Sequence, residues 1–201
     1  MFEELHYQYI IVVIVLLGLF CLYRLYSYDR PAININFSFV KKIFPEGRYQ
    51  WQSEIGPTEL YSKGLIRRGT AIITQNIEEK SVTITTKYNL INKIGNKSIM
   101  KCEGITKYYY KPDHGNNLFR KSVTYSGNKE VHTTYGYAIR KANNGFTFKI
   151  SSATQYSKVE LNQLEGTIRK LPNGIIHFGW ENHNIFGFTN FTAVGEYKLI
   201  K

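Results

Sequence analysis

The residues with the most suggestive chemistry lie near the C-terminus, where His177, Glu181 and His183 fall close together in IHFGWENHN. Imidazole and carboxylate groups at short spacing are what a zinc ion takes as ligands. A strand through Ile175–Glu181, however, puts His177 and Glu181 on the face opposite Ile176, Phe178 and Trp180. They are expected on the polar side of a sheet, with no further ligand converging on them. Asp113-His114 beside Gly115 resembles half of an acid–base couple, but its setting, Pro112 to Asn117, is a loop tip in which Asp and His support a turn. The two cysteines are Cys21, inside an apolar run, and Cys102, on the apolar face of a strand. Neither has the electropositive loop setting that lowers a thiol's pKa, and their distant settings argue against a disulfide between them. No G-x-S-x-G elbow, H-E-x-x-H helix, C-x-x-C pair or phosphate-cradling glycine loop occurs. The expected catalytic, cofactor-binding and metal-binding residues are therefore none. The chain reads as a non-enzyme without a cofactor.

What the chain has in excess is aromatic and basic side chains. Tyr numbers 16 and Phe 12, and Lys+Arg is 26 against 15 Asp+Glu, a formal net charge of +11. Tyr108-Tyr109-Tyr110 runs into Lys111, and Tyr135 and Tyr137 share one strand face. Aromatics interleaved with lysines can stack on single-stranded bases. They are also what a pleated, half-buried surface prefers, and Tyr supplies protein-contact area at low entropic cost. The positive charge favours anionic partners, whether phospholipid headgroups, nucleic acid or an acidic protein face. It also fits solubility in a Lys- and Asn-rich chain. Arg24, Arg30, Lys41, Lys42, Arg67 and Arg68 are the nearest candidates for a basic membrane-facing patch, with Lys101, Lys107 and Lys149 added if folding brings them alongside.

These groups must be carried by two kinds of element. The first is the stretch Tyr7–Tyr26, whose centre, Ile10 to Leu22, has no charge and no polar side chain beyond one thiol. As a helix it is about as long as a bilayer's hydrocarbon core, roughly 30 Å, and tyrosines flank both ends as an interfacial belt does. MFEELH carries two acids and no Lys or Arg, and no A-x-A-like site follows, so an uncleaved single-pass anchor is expected rather than a signal peptide. Every Lys and Arg lies at or after Arg24, which by flanking charge keeps the following domain on the cytoplasmic side; export is the alternative. The expected organisation is a tail and transmembrane anchor over 1–28, a short linker over 29–32 and a basic β-domain over 33–201. With a membrane tether, nucleic acid is the less natural partner. An integral membrane setting, another protein of a membrane complex and anionic phospholipid are the favoured ones.

The second kind of element is the β-strand. Period-two alternation recurs through Ile33–Val40, Arg48–Ile55, Thr70–Gln75, Ser81–Tyr88, Ser98–Tyr110, Leu118–Tyr125, Glu130–Arg140, Phe146–Ser152, Ile175–Trp180 and Thr192–Ile200. Turn clusters such as Pro45-Glu46-Gly47, Ser126-Gly127-Asn128-Lys129, Asn143-Asn144-Gly145 and Pro172-Asn173-Gly174 separate many of them. Regular short strands without an internal repeat predict an all-β antiparallel meander. A closed or nearly closed barrel, lipocalin-like in the broad architectural sense, is favoured over a sandwich. The functional expectation is a tethered accessory or assembly subunit acting through a basic, Tyr-rich surface, with a lipid- or hydrophobe-binding barrel as the alternative.

Overall fold

The computed structural model describes residues 12–19, 34–56, 64–111, 113, 115–152, 162–184 and 189–200. The chain divides into two units, Met1–Pro31 and Ala32–Lys201. In the first, residues 12–19 form a helix, α1, whose eight apolar or glycine residues are all exposed. Among the described residues no helix is long and apolar enough to cross a membrane. The two ends of the expected anchor, with Cys21 and Arg24, lie outside the described residues, as do Arg30, the 29–32 linker, Pro112 and His114.

The second unit is a closed barrel of ten antiparallel strands, each paired with the next and the last with the first. They are β1 Gly47–Ile55, β2 Leu65–Asn76, β3 Ser81–Asn92, β4 Lys97–Tyr110, β5 Leu118–Ser126, β6 Lys129–Ala142, β7 Gly145–Ser152, β8 Asn162–Lys170, β9 Ile176–Asn184 and β10 Thr189–Leu199. The expected all-β meander is thus present, closed as a barrel and not split into a sandwich. Closure gives each strand a neighbour on both sides, which removes the two free edges of an open sheet. Alternation sets the faces: in β3, Val82 and Ile84 are buried while Lys87 points outward to Glu103 of β4, 3.0 Å away.

One strand, β8, has no counterpart in the sequence-based expectation. Its apolar signal is only Leu164 and Ile168, and the position between them is Gly166. That glycine is a seat, because a Cβ there would lie 1.6 Å from the Trp180 ring of β9. Gly195 does the same for Phe178, whose ring tip would stand 2.4 Å from a Cβ. Glycine at these inward positions lets the large aromatics of neighbouring strands lie across the wall.

The expected strand over Ile33–Val40 is instead the lead-in to a helix, α2, Phe37–Ile43. The alternation of Ile35, Phe37 and Phe39 is short, and Val40, Ile43 and Phe44 answer a helical i, i+3, i+4 spacing. Asn36 caps the start by accepting the Phe39 N–H on Oδ1 at 2.9 Å, and Lys41 and Lys42 complement the dipole in the last turn. Gln75 Nε2 donates to the Phe44 carbonyl at 2.8 Å, and the Tyr49 hydroxyl donates to the Pro45 carbonyl at 2.8 Å. Ile35, Val40, Ile43 and Phe44 enter the same core cluster as Tyr108, Phe146 and Phe148, so α2 is a plug in one mouth of the barrel.

Candidate functional site

The half of the interior nearest the plug is packed solid with Tyr49, Ile73, Val82, Ile84, Leu118 and Ile176, together with the plug residues. Farther along, inward positions become polar. Strand register places Ser53 beside Arg67, and Tyr108 beside Arg120, all aimed at the barrel axis. Arg67, Tyr108 and Arg120 border a chamber of about 80 Å³ whose lining includes Trp51, Thr86, Tyr88, Trp180 and Tyr197 and, among the described residues, no Asp or Glu.

Each arginine is held by an aromatic face and a Ser or Thr hydroxyl, with a chamber phenol also beside it, Tyr88 for Arg67 and Tyr108 for Arg120. Arg67 lies 5.6 Å from the Trp51 ring centre and donates through Nε to Ser53 Oγ at 2.8 Å. Arg120 lies 5.1 Å from the Trp180 ring centre and donates through an Nη to Thr134 Oγ1 at 2.8 Å. Arg120 is 9% exposed and its Nε–H has no partner. Trp51 is 6% exposed, and its Nε1–H faces Tyr197 without closing a hydrogen bond of good geometry. Arg67 is half-buried as a residue, but its guanidinium is the enclosed end, and burial draws its pKa below the usual arginine value.

The chamber's phenols respond in the opposite sense. Burial raises the pKa of Tyr108, against which the nearby Arg120 pulls downward. Burial likewise raises Tyr197 and Tyr88 above the ordinary tyrosine value. A raised folded pKa means that the folded state keeps a proton which the unfolded chain releases first. The resulting stability is whole below about pH 10 and is lost as pH climbs from there towards the folded values. We expect the melting temperature of the full chain to fall as pH rises above about 10, with part of the tyrosine ionising only on unfolding. Tyrosinate absorbance recorded through the melt checks this; if all tyrosines titrate in the native state near pH 10, the burial argument fails.

The outer wall over β4–β7 carries the other candidate surface. One cross-strand row runs Tyr109, Phe119, Tyr137, Lys149, and the next runs Lys107, Lys121, Tyr135, Ser151. The Tyr109 and Phe119 rings lie 6.0 Å apart, Lys111 stands 4.8 Å over Phe119, and Lys121 stands 5.7 Å over Tyr135.

The residues singled out in the sequence are dispersed. His177 is exposed on the outside of β9, and the side chains of Glu181 and His183 lie outside the described residues. Among the described residues no group of His, Cys, Asp and Glu could hold a metal ion. Asp113 is exposed in its loop. Cys102 is a free, buried thiol whose pKa burial pushes up, as expected for core. Among the basic candidates, Arg67 is a correction: it points into the barrel and cannot join a surface patch. Thr70 is not where β2 starts; the strand begins at Leu65, and this puts Arg67 in phase with inward Ala71 and Ile73. Lys107 is engaged by Glu79 at 2.6 Å.

Arg120 escaped sequence reasoning altogether. In β5 the more apolar set, Phe119, Val123 and Tyr125, faces outward, while Leu118, Arg120, Ser122 and Thr124 face in, because pairing with β4 fixes the register. No protein-family model matches the chain, and no curated protein matches it in sequence.

Proposed function

We propose that this chain is a membrane-tethered, non-enzymatic β-barrel that docks an acidic face of another protein of a membrane complex, as an accessory or assembly subunit. The observation that carries the reading is the grid of aromatics and lysines on the outer wall of β4–β7. The solvent face of an antiparallel sheet is ordinarily polar, yet these two rows place Tyr109, Phe119, Tyr135 and Tyr137 among lysines. Acids stand only at the ends of the rows, where Glu165 of β8 lies opposite Lys149 and Glu79 pairs with Lys107. Tyrosine supplies rigid contact area, and Lys111 and Lys121 beside the rings give an acidic partner its charge complement. The tether is Tyr7–Tyr26; the exposed apolar α1 within it supports that role. Flanking charge favours the cytoplasmic side for the barrel, with the exported side as the alternative.

The test uses the full chain in its own membranes. It should resist alkaline carbonate extraction and run on native electrophoresis in a species larger than itself. The double variant Lys121→Glu/Tyr135→Ser should release it from that species while leaving its melting temperature unchanged. Extraction by carbonate would remove the tether from the reading, and a variant that stays in the larger species would remove the docking wall. Binding to anionic vesicles in place of a protein is the outcome that would move the surface to phospholipid.

The alternative, a lipid- or hydrophobe-binding barrel used in lipocalin fashion, draws less support. The strands number ten where lipocalins have eight, and one half of the interior is packed. The remaining space, about 80 Å³ lined by hydroxyls and guanidiniums, is small beside the roughly 300–1,000 Å³ of sites that take drug-sized ligands.

A further inference from the structure

We propose that the chamber inside the barrel is a binding site for a compact oxyanion, a group of carboxylate or phosphate size, gripped by Arg67 and Arg120. Two guanidiniums converge on a space with no carboxylate in its lining among the described residues. Enclosed cations without a counter-ion are costly, and proteins normally pair them. Tyr88, Tyr108 and Tyr197 supply only neutral phenols, kept protonated by burial. An anion entering the chamber would supply the missing charge.

The hydrogen-bonding inventory points the same way. A guanidinium has five N–H donors in a planar fork and no acceptor. Arg120 donates to Thr134, has the Tyr108 hydroxyl beside it, and leaves Nε–H without a partner among the described residues, although the residue is only 9% exposed. The Trp51 Nε1–H, which faces Tyr197 without a hydrogen bond of good geometry, is a second buried donor. These donors can take an acceptor, and the oxygens of a carboxylate or phosphate supply several. Such groups meet arginine forks in bidentate fashion, with bonds stronger than neutral ones. The aromatic faces of Trp51 and Trp180 hold the two guanidiniums in place beforehand, which lowers the ordering cost of binding.

Size and polarity favour a small anion over the other ligand classes. The chamber of about 80 Å³ has room for a few waters or one small anion, since a water occupies roughly 30 Å³ in the liquid. A cation would be repelled by both arginines. A hydrocarbon would fill the space yet leave the Arg120 Nε–H without an acceptor.

The protein carries its own reporter. Trp51 and Trp180 are its only two tryptophans, and both line the chamber. The full chain in detergent micelles is titrated with inorganic phosphate and with acetate at constant ionic strength, reading tryptophan fluorescence, with acetamide and glycerol as neutral counterparts. We expect a saturable change for at least one anion and none for the neutral compounds. Arg120→Lys keeps the charge but loses the fork, and should weaken binding about tenfold or more. Arg68→Gln, on the exposed outer face, should not. Should Arg120→Lys fail to fold, quenching of the unaltered chain reads the same property: iodide should quench more strongly than caesium. No saturable response to either anion, an equal response to acetamide, or caesium quenching equal to iodide would each overturn the proposal. Repeating the measurement in phosphatidic acid and phosphatidylcholine nanodiscs without added anion separates the sources. A phosphate-like response in the former makes the ligand a lipid headgroup; a response only to added phosphate makes it a free anion. Neither Lys121 nor Tyr135 lines the chamber, so this result and the docking result stand or fall separately.

Discussion

Val82→Asp should leave the barrel unfolded, whereas Lys87→Glu on the same strand should leave it folded. Val82 is fully buried at the plug end of β3, in register with Gln75 on one side and Tyr108 on the other, and it does not border the arginine chamber. Asp there loses about 1.5–3 kcal/mol of apolar burial and adds the desolvation of a carboxylate in a fully buried position. The sum passes about 4 kcal/mol, a large part of the roughly 5–15 kcal/mol that holds a domain folded. Lys87 has the opposite phase and forms an exposed pair with Glu103. Replacing it by Glu sets two carboxylates side by side in water, a loss of under about 1 kcal/mol. Far-ultraviolet circular dichroism with thermal melting of the full chain separates the cases. Comparable melts for the two variants would refute the assignment of faces in β3.

That contrast rests on a pattern legible in the sequence. Where a strand alternates strongly, as in Ser81–Tyr88, local chemistry and barrel closure agree, and the buried face can be named from residue types alone. The architecture followed for the same reason, since regular turns at Gly, Asn and Pro leave a meander little choice. The chamber was not legible, and the cause lies in β5 and β2. In β5 the apolar face is the outer one, because hydrogen-bond register with β4 is set by the whole ladder and Arg120 follows Tyr108 inward. In β2 the inward phase begins at Leu65 and carries Arg67 with it, ahead of the strongly alternating Thr70–Gln75. A polar cavity is built from residues that break the rule by which strand faces are read. Only the paired register reveals that two such breaks meet. The outer wall was half legible: Tyr135 and Tyr137 were visible as one face, but their alignment with Phe119, Lys121 and Tyr109 is a property of three-strand pairing.

The plug is the element for which sequence reasoning chose the wrong period, and Phe44→Ala measures what it contributes. Phe44 is fully buried, stacked on Tyr108 at 4.8 Å between ring centres and edge-on to Phe146 at 5.9 Å. Those two rings come from β4 and β7, so one side chain ties α2 to widely separated parts of the wall. The helix itself is seven residues long, too short to persist on its own propensity. Its order must come from this packing, together with the Asn36 cap and the Gln75 bond to the Phe44 carbonyl. Alanine keeps both backbone interactions and removes only the ring. The expected loss is that of a buried Phe→Ala truncation, about 3–5 kcal/mol, which lowers the melting temperature by on the order of 10 °C in a domain of this size. Phe44→Leu refills much of the volume and should recover more than half of the loss. A strand in place of α2 would make Phe44 a linker residue, and its truncation would then cost under about 1 kcal/mol. A melt within that limit would mean that α2 rests on the barrel without sharing its core.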